Sequence, residues 1–432
     1  MLVAFTFFTG GYSQERSWLD VAAQLLVLPV MAWALFQWFA APRPGLGKAA
    51  LAVAIAMFLV PALQLMPLPD ALWSLPPGRH ALALDLGQAG VIGLPATWTL
   101  SPAATELSLW SMLPALAVFV AALVLPPATH RSLLWLVLAL VLSSVVLAVV
   151  QLGLPRDSFL NPYPARAPSF NGVFANPNHQ ATALAVGLVL VVALLLERPS
   201  WKRARAVQGL LLGTALVLVV ALPLTGSRGG WLAAMAGVAL TVVLMRPWTR
   251  SHRPRMWRVL LPAAGLLAVV AAWIALGWMR VDIAEERRWA AAMATFAMGV
   301  EHLPLGIGMG GFVGWFDANM PVVLQGNEFF NHAHNEYAQW WLETGLLAPV
   351  LLAAVAAVLG VALRRLLRQQ TGGLPSGPSI GAWSGVAVVL MHSVVDYPLR
   401  TPSLMTVTAL LAGIAIAWAC APAMKPSTQS RP

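Results

Sequence analysis

The sequence predicts an all-α polytopic membrane protein, and three observations carry that prediction. Hydrophobic residues make up 59% of the 432-residue chain and charged residues only 10%, where a soluble domain carries about 25% charged. The apolar residues gather into runs of about 20, the length that crosses a bilayer as a helix. Basic residues fall in alternate connections between those runs, as the positive-inside rule requires.

The runs give eleven to twelve spans, taken here in chain order with the connections that bound them. The first eight residues are apolar but too short to cross. They lack the basic start of a secretory signal and read as a re-entrant or interfacial piece. Span one (18–39) leads to Arg43 and Lys48, and span two (48–66) to the long connection 67–103. Span three (104–125) is followed by His130 and Arg131, and span four (131–153) by the connection 154–177. Span five (178–196) runs into Arg198, Lys202, Arg203 and Arg205, and span six (205–223) into the short turn 224–228. After span seven (229–245) come Arg246, Arg250, Arg253, Arg255 and Arg258; after span eight (257–279) comes the longest connection, 280–335. Span nine (336–363) ends on Arg364, Arg365 and Arg368, and span ten (380–397) on the turn 398–401. Span eleven (402–420) precedes a Pro-, Ser- and Gln-rich tail, 421–432, that holds Lys425 and Arg431 and is disordered by composition.

The basic connections lie on one side, which is therefore cytoplasmic, and the long ones on the other. In a Gram-negative cell the outward side of an inner-membrane protein is the periplasm. On this reading residues 1–420 form one transmembrane domain, with 280–335 a periplasmic loop region between the eighth and ninth spans. The net charge of +10 follows from orientation and anionic lipid rather than nucleic acid. No phosphate-binding GxxxxGK[ST] run is present. Gly306 to Gly311 is glycine-dense but sits in an outward connection and reads as a tight turn. The single cysteine, Cys420, rules out a disulfide within the chain.

Against this background the polar island His332-Ala333-His334-Asn335-Glu336-Tyr337 is the leading candidate site, because polar groups at membrane depth are costly and mark function. A histidine with one ring nitrogen free and a partner on the other can move a proton, and Glu336 or Asn335 could orient it. A metal site would need a third ligand from His179, His302, His392 or Asp396. Arg228, in the turn Thr225 to Gly230, is either a snorkelling anchor or an anion ligand with open access from its flanking glycines. Arg287 and Arg288 open an amphipathic stretch, Trp289 to Val300, as a second anion clamp or as a solvated face with Asp282, Glu285 and Glu286. At the start of span five, Asn176 before Pro177 signals a turn and Asn178 suits an N-cap. Asn171, His179 and Gln180 then suggest a polar wall. For Asp396 the favoured account is a local ion pair with Arg400.

Taken together, Asn176 to His179, Gly226 to Gly230, Arg288 with Pro304 to Phe312, and His332 to Gly345 resemble the O-antigen ligase/polymerase superfamily. That group includes O-antigen ligases, O-antigen and exopolysaccharide polymerases, and bacterial protein O-oligosaccharyltransferases. The resemblance covers about residues 170–400. It implies a membrane-embedded, C-type, inverting and metal-independent glycosyltransferase without cofactor. The donor would be a glycan on undecaprenyl diphosphate and the acceptor a glycan or lipid-linked glycan. His334 corresponds to the family's essential histidine. Arg228 and Arg288, with Arg287 as the neighbouring alternative, correspond to its diphosphate-binding arginines. His332, Asn335, Asn178 and His179 would line the substrate site. The family usually shows twelve spans, and the outward loop here is short for a large acceptor-binding domain. A polymerase is favoured by the Asn-Pro-Asn-His and His-Ser-Val-Val-Asp-Tyr-Pro-Leu segments. The alternatives are a ligase joining glycan to lipid A-core and, from another class, a flippase of lipid-linked glycan, which would want charges within its spans.

Overall fold

The computed structural model describes residues 1–13, 18–91, 97–163, 169–197, 204–245, 283–326, 329–369 and 376–421. Among them the chain is helical. In order come α1 (Leu2–Thr9), α2 (Trp18–Phe39), α3 (Gly45–Gln64), α4 (Asp70–Trp73), α5 (Pro77–Gln88), α6 (Pro102–Ser111), α7 (Leu113–Val124) and α8 (Pro127–Leu152). They are followed by α9 (Pro177–Leu196), α10 (Ala204–Leu224), α11 (Arg228–Leu244) and α12 (Ile283–Glu301). The last five are α13 (Phe312–Asn319), α14 (Glu336–Thr344), α15 (Leu347–Arg368), α16 (Gly377–His392) and α17 (Pro402–Cys420). Eight stretches are long and apolar enough to cross a membrane, α6 and α7 counting as one, and α11 is a shorter apolar helix. The expected eighth span, the basic cluster Arg246 to Arg258, and the tail beyond 421 lie outside the described residues.

Helix α9 is the axis of the bundle. It is apolar nearly all round and buried along almost its whole length, the pattern of a helix enclosed by others. Helices α8, α10, α11 and α16 pack on it, and α17 packs on α7 and α16. Small residues permit the close crossings: a Cβ at Gly237 would stand 2.2 Å from Val388. The outer helices keep large apolar side chains exposed, among them Leu28, Phe36, Leu216 and Val350, as lipid-facing surfaces do. The N-terminal octet is a short helix, α1, but it is buried: Phe7 meets the Phe174 ring edge-on at 5.7 Å, and α1 packs on α17.

Two expected spans are corrected. The ninth is not one helix. It breaks at Gly345, whose φ of 56° and ψ of −133° suit glycine alone, and a Cβ there would lie 2.2 Å from the Pro304 carbonyl oxygen. The apolar helix α15 therefore starts at Leu347, and α14 is a separate helix. The tenth ends at His392, and residues 393–397 form a turn rather than helix.

The glycine run 306–311 is the tight turn expected, and its role is to hold the end of α14. The amides of Ile307 and Gly308 donate to the carbonyls of Leu342 and Glu343, and that of Leu346 to Pro304. These bonds satisfy carbonyls that a helix end leaves unpaired. Buried Arg79 donates to the Gly306 carbonyl from the 67–103 connection, and Gln64 bonds both Glu343 and Met309.

Candidate functional site

The starts of α9, α11 and α14 and the end of α16 meet the segment after α1 and the turn before α17, and His179, His332, His334 and His392 gather there. Asn335 caps α14, its side chain accepting from the Ala338 amide at 3.0 Å. Just before this cap, His334 takes φ 51°, alone among the described non-glycine residues in having positive φ. Such a conformation costs about 1–3 kcal/mol and persists only where its surroundings impose it. It turns the imidazole toward the turn after α16, with Nδ1 3.6 Å from Asp396 Oδ1.

Asp396 is the residue that sequence reasoning misassigned. It does not pair with Arg400. Arg400 instead bonds Glu343 at 2.8 Å, because the turn carries its side chain toward α14. Asp396 is fully buried and faces two imidazoles, His334 and, at 3.8 Å, His179 Nε2. Burial would raise its carboxyl, but His334, His179 and His392 outweigh that and hold it below the ordinary carboxylate range. The Tyr397 ring fills the space between the histidines, with centroids 4.8 Å from His179, 4.3 Å from His332 and 5.0 Å from His334.

Neither Glu336 nor Asn335 orients His334: Asn335 is spent on the cap, and Glu336 accepts from the Leu399 amide. Burial raises the Glu336 carboxyl to about 7 even though Arg400 pulls it down. His332 differs from His334 in having both nitrogens engaged. Nδ1 meets the Gln339 side chain and Nε2 the Ser13 hydroxyl at 3.1 Å. Gln339 donates on to Glu343 at 2.9 Å. Burial, then Arg400, His334 and His179, hold the His332 imidazole well below its usual pKa.

At the start of α9 the N-cap is Asn176, not Asn178: its side chain accepts from the Asn178 amide at 2.9 Å, with Pro177 at the first helical position. Asn178 is half-buried, and its carbonyl accepts from Thr182, which also bonds His392 Nδ1 at 2.7 Å. The expected wall of Asn171, His179 and Gln180 is only partly formed. His179 joins the site, but Gln180 turns the other way to accept from Ser144.

Arg228 opens α11 behind the Ser227 N-cap. Its neighbour Gly229 packs so closely that a Cβ would stand 2.9 Å from His392 Nε2 and 2.6 Å from Val395. Arg228 is thus adjacent to the turn bearing Asp396. On α12 the two arginines separate. Arg287 donates to the Leu324 carbonyl at 2.8 Å and covers the Phe330 ring, which ties Leu324 and Phe330 to α12. Arg288 is half-buried and stands beside Trp289 and one helical turn before Ala292, both of which line a groove. This groove, about 260 Å³, is walled by Trp289, Ala292 and Phe296 of α12, Asn335 and Trp341 beside and on α14, and Leu352 of α15. It is apolar and begins one residue from His334. Among the described residues no three His, Cys, Asp or Glu side chains converge as metal ligands.

The fold and site define a polytopic membrane protein whose histidine cluster lies beside an apolar groove. Residues 213–353 match the family model described as O-antigen ligase. That stretch contains Arg228, Arg288, the glycine run and His332 to Gly345, and the match supports the O-antigen ligase/polymerase superfamily of membrane enzymes for this chain. No curated protein matches the chain.

Proposed function

We propose that this protein transfers a glycan from undecaprenyl diphosphate to a sugar hydroxyl at the periplasmic face of the inner membrane, with inversion. The observation that carries the reading is the junction of His334, backed by Asp396, with the apolar groove that starts at Asn335. A polyprenyl chain fits such a groove, and its diphosphate would then lie near Arg228 and Arg288. His334, through the Nε2 turned away from Asp396, takes the acceptor hydroxyl proton. The freed oxygen bonds the anomeric carbon as the bond from that carbon to the diphosphate oxygen breaks. The electron pair leaves with the diphosphate, whose developing charge the two guanidiniums stabilise. Asp396 stabilises the imidazolium that forms. The donor carries its own leaving group, so neither nucleotide nor metal enters the step. A polymerase is the favoured member, on the Asn176 to His179 and His392 to Leu399 segments.

The test uses purified protein, a lipid-linked glycan donor and product analysis. His334→Ala is expected to lose transfer by roughly 10²–10⁴-fold, the scale of one acid–base group, while still binding donor. His332→Ala should lose far less, since its nitrogens are held within the protein. Full activity in His334→Ala, or a greater loss in His332→Ala, overturns the assignment. Lengthened polyprenyl-linked glycan marks a polymerase, and glycan joined to a lipid core marks a ligase.

A further inference from the structure

The chain holds only 4 tyrosines against 19 tryptophans and 15 phenylalanines, and all of the tyrosines stand at the outward end. Tyr397 lies among the histidines, and Tyr337 lines the donor groove. The other two, Tyr12 and Tyr163, stand together. Their rings stack with centroids 5.6 Å apart and planes 19° apart, and both residues are half-buried.

Both partners are held by bonds that have nothing to do with their side chains. Ahead of Tyr12, the Gly10 carbonyl accepts from Ser403 at 3.1 Å and the Gly11 carbonyl from Ala175 at 3.0 Å. Gly11 is pressed so close to Val173 that a Cβ would meet its carbonyl oxygen at 1.9 Å. Ahead of Tyr163, Gln151 donates to the Leu160 carbonyl and Asn161 to that of Pro155, each at 2.8 Å. The stack is therefore presented on fixed backbone.

Its place relative to His334 gives it meaning. On one flank of His334 the groove begins at Asn335 and runs between α12, α14 and α15. A second set of contacts, none of them lining the groove, runs from His334 through Tyr397 to His332, and from His332 Nε2 to the Ser13 hydroxyl, with Tyr12 the adjacent residue. If the donor lipid occupies the groove, the acceptor must approach along these contacts. Tyrosine offers a flat apolar face for the C–H groups of a pyranose ring and a hydroxyl for its polar edge.

We infer that the Tyr12–Tyr163 pair is a saccharide-binding platform that seats a pyranose ring of the acceptor and so holds its reacting hydroxyl at His334. This rests on the transfer reading above, and the test separates the two. Full-length protein would carry Tyr12→Leu or Tyr163→Leu, which keep apolar bulk but no flat ring, and Tyr12→Phe or Tyr163→Phe, which keep the ring. The leucine variants should raise the acceptor KM about three- to tenfold, the worth of one aromatic contact. Their kcat, donor affinity and melting temperature should stay at wild-type values, and the phenylalanine variants should stay near wild type throughout. In parallel, saturation-transfer NMR on His334→Ala protein would use the repeat-unit oligosaccharide cut from the producing cell's own surface polysaccharide. Saturation of its ring protons should fall in the leucine variants and persist with phenylalanine. Unchanged acceptor KM and unchanged saturation in both leucine variants overturn the platform, as does a loss confined to kcat or donor affinity. If wild-type protein transfers nothing, the transfer reading fails, and the NMR arm decides the platform alone.

Discussion

His334 sits in a backbone conformation that few non-glycine residues adopt, and Asp396 is the group that this conformation brings it to face. Arg400 is held by Glu343 rather than by Asp396. Asp396→Asn keeps the size and the bond to the Tyr397 amide but removes the charge that stabilises an imidazolium. It should lower transfer by on the order of 10² or more, with donor affinity unchanged. Equal rates for Asp396→Asn and wild type would show that His334 works without it. Glu336 gives a pH-dependent counterpart. Its carboxyl is ordinary in the unfolded chain and raised to about 7 by burial in the fold, so the folded state binds the extra proton between about 4.5 and 7. Stability contributed by the protonated form is therefore lost as pH rises through that window. Glu336→Gln, which can still accept from Leu399, should flatten the fall in melting temperature between those limits, and parallel curves for the two proteins would refute it. The sequence singled out His334 and Arg228 through a resemblance carried by short motifs. Asp396 was visible as a residue but not as a partner. Local spacing offered Arg400 four positions on, and only the turn after α16 reveals that the two side chains diverge.

Among the elements, α14 was the hardest to read. Hydropathy runs unbroken from Trp340 into the membrane helix, so the sequence suggested one span from 336. What divides it is a contact between backbones: Gly345 abuts Pro304, and Gly306 abuts Glu343. Hydropathy does not register such a contact, though the glycines at 306, 308, 310 and 345 are its trace. The break allows α14 to lie across the outward end, with Asn335 at one tip and Glu343 held to Arg400 and Gln339 near the other. Gly345→Ala should therefore destabilise the protein by more than the about 1–3 kcal/mol of a strained backbone, since the Cβ also strikes a carbonyl. Thermal unfolding in detergent would measure it, and an unchanged melting temperature would mean that the corner relaxes freely. The segment after α1 was legible only as an apolar start. That it brings Ser13 to His332, 319 positions away, follows from packing of α1 against α17, which no local pattern encodes.

Across the whole molecule, chemistry and basic charge fall at opposite ends. His179, His332, His334 and His392, with Asp396, Glu336, Arg228 and all four tyrosines, cluster at one end of the bundle. Arg131, paired with Glu197 at 2.8 Å, and the Arg365 and Arg368 turn that closes α15 lie at the other. The positive-inside rule assigns the second end to the cytoplasm, and the proposed donor rests on that assignment. On the proposed orientation the site is away from the nucleotide sugars of the cytoplasm, which is the reason for proposing a glycan that arrives attached to lipid. The orientation is open to direct measurement because the chain contains one cysteine, Cys420. In a Cys420→Ser background, single cysteines at Met320, in the 280–335 connection, and at His252, in the basic one, should respond oppositely to a membrane-impermeant maleimide. Met320→Cys should label in cells whose outer membrane is permeabilised, and His252→Cys only after lysis. Labelling of His252→Cys but not Met320→Cys before lysis would turn the site to the cytoplasm, where nucleotide sugars are present, and would remove the reason for a lipid-linked donor.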